Sequence, residues 1–160
     1  MATTKRLAEQ VGEQCRRHPV MLAVAESCTA GGIAYAITSV PGSSSYFDRG
    51  FVTYSNQAKQ EMLGVPVALL EQYGAVSEEV ATAMAVGALK CSGASIVLAI
   101  TGIAGPDGGS VDKPVGYVWF ALAAKNRSNK AACHYFSGDR HSIREQAIEF
   151  ALQLLLDYIM

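Results

Sequence analysis

The chain has 160 residues, half of them hydrophobic and 17% charged, which suffices for one globular domain over residues 1–160 and excludes a disordered chain. A formal charge of -1 with no basic block excludes an electrostatic argument for nucleic acid, and the apolar runs are too short to span a bilayer. Met1 to Arg6 leads into an amphipathic pattern and not into a secretory hydrophobic region, so the expectation is a cytoplasmic protein with no membrane partner.

Leu7, Val11 and Cys15 recur at helical spacing with charged residues between them, which predicts a surface helix ending near His18-Pro19. Val20 to Val24 is an apolar run of buried-strand length. Ala25-Glu26-Ser27-Cys28-Thr29-Ala30-Gly31-Gly32 follows, and Ile33 to Ile37 suits a packed helix. Pro41 to Ser45 is a break rich in turn formers, and Phe51 to Tyr54 reads as a second strand. Asn56 to Leu63 and Pro66 to Tyr73 read as short helices stopped by Gly64 and Gly74.

Ser77 caps a further helix whose apolar face holds Val80, Met84, Ala88 and Cys91. Ala94 to Ile100 reads as a central strand covered on both faces, followed by a glycine-rich loop from Thr101 to Gly109. Val115 to Ala124 and Ala131 to Phe136 are expected as an antiparallel pair across Asn126–Asn129. Ser142 and Glu145 form a capping box for a last helix, whose wide apolar stripe suggests a contact between copies, hence a homo-oligomer. The expected fold is a layered α/β domain with a mixed, mostly parallel sheet and helices on both faces. Ligands collect beyond the carboxyl ends of such strands, where Ser27 and the Thr101–Gly109 loop both fall.

Ser27 sits where a strand gives way to a helix, so unpaired N–H groups are available to a developing negative charge. A plain helix cap is the alternative. Lys59 lies one turn into its helix, five residues past Tyr54. A lysine serves as base for a serine only when neutral, so its pKa near 10.4 must fall by roughly 3 units through desolvation or a nearby cation. The Tyr54 hydroxyl could bridge the two. An ordinary solvated lysine is the competing reading, and a Glu26–Lys59 ion pair would hold the amine charged. Cys28 is the rival nucleophile. The four cysteines (Cys15, Cys28, Cys91, Cys133) form no CxxC pair, so reduced thiols and no metal are expected. The glycine-rich loop fits neither a P-loop nor a dinucleotide fingerprint. Arg140, just before the last helix, could clamp a phosphate. His18, His134 and His141 lie in no catalytic pattern.

Together the chain resembles the C-terminal domain of the competence/damage-inducible CinA family in its stand-alone form, the nicotinamide-nucleotide amidases. The resemblance rests on Ala25–Thr29, Pro41–Ser44, Val52–Asn56, Ala58-Lys59, Gly74–Ser77, Ile100–Pro106, Lys113–Gly116 and Gly138–Arg140, in the family's order. It implies hydrolysis of the carboxamide of nicotinamide mononucleotide to nicotinate mononucleotide and ammonia, with no cofactor. Carried over, Ser27 is the nucleophile, Lys59 its base and Tyr54 an assistant. Backbone around Thr29, Ala30 and Gly31 would form the oxyanion site, and Ser44, Thr101, Gly102, Gly105 and Arg140 are candidates for holding the nucleotide. The family pattern has glycine where this chain has Ala30, whose β-carbon could narrow the pocket or shift a donor. A weakened or inactive paralogue, acting as a nucleotide-binding or assembly module, is therefore the alternative.

Overall fold

The computed structural model describes residues 2–160. These form α1 (Ala2–Arg17), β1 (Leu22–Glu26), α2 (Gly32–Thr38), β2 (Phe47–Val52), α3 (Asn56–Leu63), α4 (Val67–Tyr73), α5 (Glu78–Lys90), β3 (Ile96–Gly102), β4 (Tyr117–Ala124), β5 (Arg127–Tyr135) and α6 (Arg140–Ile159), with a 3-10 turn over Ser43–Ser45. The sheet order is β2-β1-β3-β4-β5. β2, β1 and β3 run parallel, whereas β4 and β5 form an antiparallel hairpin on the β3 side. Helices cover both faces, as expected of the α/β architecture.

Alternation along the central strands builds the two layers, because successive strand side chains point to opposite faces. Leu22 and Val24 of β1, with Ile96, Leu98 and Ile100 of β3 and Phe120 and Leu122 of β4, join the core that includes residues of α1, α2 and α6. Ala23, Ala25, Val97, Ala99, Ala121 and Ala123 belong to the opposite core with α5. The second set is mostly alanine, so α5 approaches the sheet closely through its own Ala81, Ala85 and Ala88. Both cores are almost free of exposed area, and such burial is the main favourable term in folding.

Three boundaries differ from the sequence reading. β2 begins at Phe47 and ends at Val52, earlier than Phe51–Tyr54. It is an edge strand with exposed Asp48 and Arg49, so it lacks the buried alternation that would mark it. The β4–β5 turn is only Lys125-Asn126, with Asn126 at φ +62°, so β5 starts at Arg127. α6 is capped by Asp139, whose side chain accepts from the Ser142 N–H at 2.8 Å, and not by a Ser142–Glu145 box. The wide stripe of α6 is used inside the chain: Ile143, Ala147, Ala151, Leu152 and Leu155 are buried in the same core as residues of α1 and the sheet. Among the described residues no helix is long and apolar enough to cross a membrane.

The packing of α3 on α5 sets the depth at which α3 enters the molecule. A β-carbon at Gly87 of α5 would lie 1.9 Å from the Leu63 carbonyl oxygen at the end of α3. Gly87→Ala is therefore expected to destabilise the fold by about 2–3 kcal/mol and lower Tm by roughly 5–10 °C, measured by thermal unfolding followed by circular dichroism.

Candidate active site

β1 ends at Glu26, and the chain then turns through residues 27–31 into α2. The turn is tied to its neighbours at once: the Ser27 N–H donates to the Ile100 carbonyl on β3 at 3.1 Å, and the Thr53 N–H donates to the Glu26 carbonyl at 2.8 Å. Ser27 and the segment after β2 are thus held side by side at the carboxyl ends of parallel strands. Ser27 does not cap α2. The residue before the helix is Gly31, which makes no side-chain cap; the N–H groups of Ile33 and Ala34, which have no partner within the helix, instead donate to the Glu26 carboxylate, both at 3.0 Å.

Ser55 starts α3 by accepting from the Ala58 N–H at 3.0 Å. That start places Lys59 and Leu63, four residues apart, on one inward stripe, and both are buried. Lys59 is only 1% exposed. Its Nζ lies 2.9 Å from Ser27 Oγ, 2.8 Å from the Thr53 carbonyl and 3.2 Å from the Tyr54 carbonyl. Among the described residues it has no carboxylate within ion-pair distance. Burial therefore pulls the amine down from an ordinary 10.5 to about 8. Nζ donates to all three partners, which suits the protonated amine; once the amine is neutral, its two N–H groups can stay on the carbonyls and its lone pair is left for the serine hydroxyl.

Glu26 does not reach this amine. As the next alternate residue after Leu22 and Val24, it faces the α2 side of the sheet, and α3 packs on the other side. The Cys28 thiol, likewise buried, is pushed up to about 12 by that burial, so it holds its proton at neutral pH.

A cleft of ≈ 160 Å³ opens onto the pair, lined by Ser27, Cys28, Tyr54, Asn56, Lys59, Ala75, Val76, Thr101, Gly102, Ala104 and Arg140. The structure brings Ser27, Lys59, Tyr54, Thr101, Gly102 and Arg140 together. The part played by Tyr54 differs from the expected bridge. Its carbonyl meets Lys59 Nζ and lies 3.5 Å from Ser27 Oγ, whereas its half-exposed side chain puts the hydroxyl 3.0 Å from Arg140 Nη2. Arg140 also donates through Nη1 to the Gly105 carbonyl at 2.7 Å, which ties the glycine-rich loop to the start of α6. Gly105 has φ +79°, and a β-carbon there would press on Val115 at 2.5 Å. The Thr101 hydroxyl donates to the carbonyl of Ala75, another lining residue, at 2.9 Å.

Two candidates fall elsewhere. Ser44 is exposed in the 3-10 turn ahead of β2, so it lies at the amino ends of the parallel strands, about 17 Å of strand away from Ser27. The Ala30 N–H donates to the Ser27 carbonyl at 3.1 Å, which occupies it within the turn. Ala30 takes φ +46° with an exposed side chain, so its β-carbon points to solvent and does not narrow the cleft. Thr29 and Gly31 stand on either side of it in the same turn. The sequence reading missed Asn56, Ala75, Val76 and the Thr53 carbonyl. The first three lie inside the stretches that carried the resemblance, whereas a main-chain carbonyl leaves no mark in a sequence. Among the described residues, no three His, Cys, Asp or Glu side chains cluster to hold a metal ion. His18, His134 and His141 are exposed and outside the cleft.

Comparison with known proteins identifies relatives over nearly the whole chain. The model of the CinA C-terminal domain matches residues 4–159. A relative from Enterobacter agglomerans, named nicotinamide-nucleotide amidohydrolase PncC, is 53% identical over 94% of this chain and 92% of its own length. The protein of the same name from Escherichia coli K12 is 52% identical over 93% of this chain and 90% of its own. The crystal structure of the competence/damage inducible protein CihA from Agrobacterium tumefaciens superposes with a TM-score of 0.94 at 42% identity, over 99% of this chain and 96% of that one.

Burying Lys59 costs stability while the folded amine is still protonated. The drop from 10.5 to about 8 corresponds to about 3 kcal/mol, since each pKa unit is about 1.4 kcal/mol. Below pH 8 both folded and unfolded chains carry the charge and the cost is full; it fades as pH rises toward 10.5, where the unfolded lysine also loses its proton. Lys59→Met is therefore expected to raise stability by about 1–2 kcal/mol at pH 7, after the loss of two hydrogen bonds is offset, with no gain left above pH 10.5. Urea unfolding of both proteins across that pH range measures it.

Proposed function

The chain belongs to the CinA C-terminal domain family, and from that premise we propose that it is an amidohydrolase that converts nicotinamide mononucleotide and water to nicotinate mononucleotide and ammonia. The observation that carries this reading is the 2.9 Å approach of a buried lysine amine to the hydroxyl of Ser27. The identity to relatives named nicotinamide-nucleotide amidohydrolase, over nearly their whole length, supports the substrate.

In the proposed reaction, neutral Lys59 accepts the Ser27 proton as Oγ attacks the carboxamide carbon. The carbonyl oxygen becomes an oxyanion, and in this reading the N–H groups of Cys28, Thr29 or Gly31 in the turn between β1 and α2 would receive it. Lys59, now an ammonium, returns the proton to the leaving nitrogen, and ammonia departs from a nicotinyl ester on Ser27. Water enters the vacated position and gives its proton to Lys59. The resulting hydroxide attacks the ester, the Ser27 oxygen leaves and takes its proton back from Lys59, and the freed acid gives its own proton to solvent as it becomes carboxylate. Arg140 at the rim of the cleft has donors beyond the two it spends on Gly105 and Tyr54, and in this reading they take the phosphate of the nucleotide. Thr101 and Gly102 wall the ring side of the cleft.

The alternative, a binding or assembly module that lost its chemistry, rests on Ala30 and on the broad apolar face of the last helix, and that face is largely buried inside the chain. The exposed side chain of Ala30 and the intact Ser27–Lys59 contact favour the enzyme.

Ammonia release tests the reading. Ser27→Ala and Lys59→Met are each expected to lower kcat by at least about a thousandfold with the fold retained. For the parent chain, kcat/KM should rise about tenfold per pH unit below about 8 and level off above it, because the reactive form is the neutral amine. Undiminished turnover in Ser27→Ala would remove the serine from the reaction.

A further inference from the structure

The turn that carries Ser27 holds a buried polar group that its own backbone does not require. Glu26 is 1% exposed and shares its sheet face with Leu22 and Val24, where an apolar side chain is the ordinary occupant. A carboxylate in such a place is costly unless its acceptors are used. Here they are: Oε1 accepts from the Thr29 hydroxyl at 2.6 Å and the Ile33 N–H at 3.0 Å, and Oε2 accepts from the Ala34 N–H at 3.0 Å. Thr29 is buried as well, and its carbonyl is gripped from the far side by the Gly32 N–H at 2.9 Å and Arg144 Nη2 at 3.4 Å.

Resting on the hydrolase reading above, we propose that Glu26 is a positioning residue: through Thr29 it clamps the Ser27–Gly31 turn onto the first turn of α2 and so holds the Ser27 hydroxyl against the Lys59 amine. The turn needs such a clamp. Ala30 and Gly31 take φ +46° and +96° in succession, and a non-glycine residue in the left-handed region costs on the order of 1 kcal/mol. The serine side chain has little else to aim it, since beyond Lys59 its nearest partner is the Tyr54 carbonyl at 3.5 Å. Its direction therefore comes from the main chain beneath it, and a shift of about 1 Å there can cost about a hundredfold in rate. Glu26 is absent from the cleft lining, so it acts on the reaction through the turn and not by touching substrate.

Two variants test this. Glu26→Gln keeps the size but offers an amide NH2 where an N–H donor must be accepted; Thr29→Val keeps the shape and removes the hydroxyl. Each is compared with the parent chain by ammonia release from nicotinamide mononucleotide and, independently of that substrate, by the rate at which a fluorophosphonate esterifies Ser27 with loss of fluoride. The expected result is a fall in kcat of about ten- to a hundredfold with KM within about twofold. The midpoint of the pH profile should stay within about half a unit of the parent's, and Ser27 labelling should slow in step with kcat. Unchanged kcat in both folded variants, a loss confined to KM, or a larger shift of the midpoint would overturn the proposal; the last would mean that the charge acts on Lys59 directly. A parent chain that releases no ammonia but is labelled at Ser27, with both variants labelled more slowly, defeats the substrate reading and supports the clamp. Parent turnover with undisturbed variants does the reverse.

Discussion

An amine with no counter-charge, enclosed beside a hydroxyl, is the contact around which this molecule is arranged. In water such an amine keeps its proton until pH 10.5; inside the cleft the loss of hydration brings that point to about 8. The surroundings are consistent with that single demand. The partners at Lys59 Nζ are two backbone carbonyls and a serine, all accepting from it; after the amine loses its proton, the carbonyls can hold its two N–H groups and one lone pair is left for work. A carboxylate in place of either carbonyl would restore the charge and end the basicity.

The sheet keeps the nearest carboxylate away by parity. Glu26 and Ser27 are adjacent in sequence, so they leave the end of β1 on opposite faces, and α3 brings Lys59 only to the serine side. The acid is committed to α2, where its charge meets the first N–H groups of the helix, which have no partner within it. The alanine-lined face of the sheet serves the same arrangement, because it lets α5, and α3 packed on Gly87, come close enough for a four-carbon side chain to reach Ser27.

How much of this was legible before the structure depends on what kind of group is involved. Ser27 could be read from the apolar run before it and the small residues after it, since strand-to-helix turns leave that trace. The two central strands and the capped α5 were legible for similar reasons. Lys59 stands out as a candidate base, but its burial does not, because a lysine at helical spacing from Leu63 looks the same whether it points to solvent or to a cleft; only the three-dimensional partners decide. Tyr54 was picked out for its hydroxyl, yet its main chain meets the amine, and a carbonyl has no sequence signature. Ser44 sits in a recognisable motif but at the amino ends of the strands, which is a matter of topology. The start of the edge strand β2 leaves no clear trace in the sequence because Asp48 and Arg49 break the alternation that buried strands show.

The most direct test is to titrate Lys59 itself. In protein carrying isotope-labelled lysine, the chemical shift of the carbon next to Nζ reports protonation, and Lys59→Met assigns the resonance. A midpoint near pH 8 is expected, well below those of the exposed lysines. A Lys59 that titrates at or above 10.5 would contradict the account, since a charged amine cannot take the serine proton.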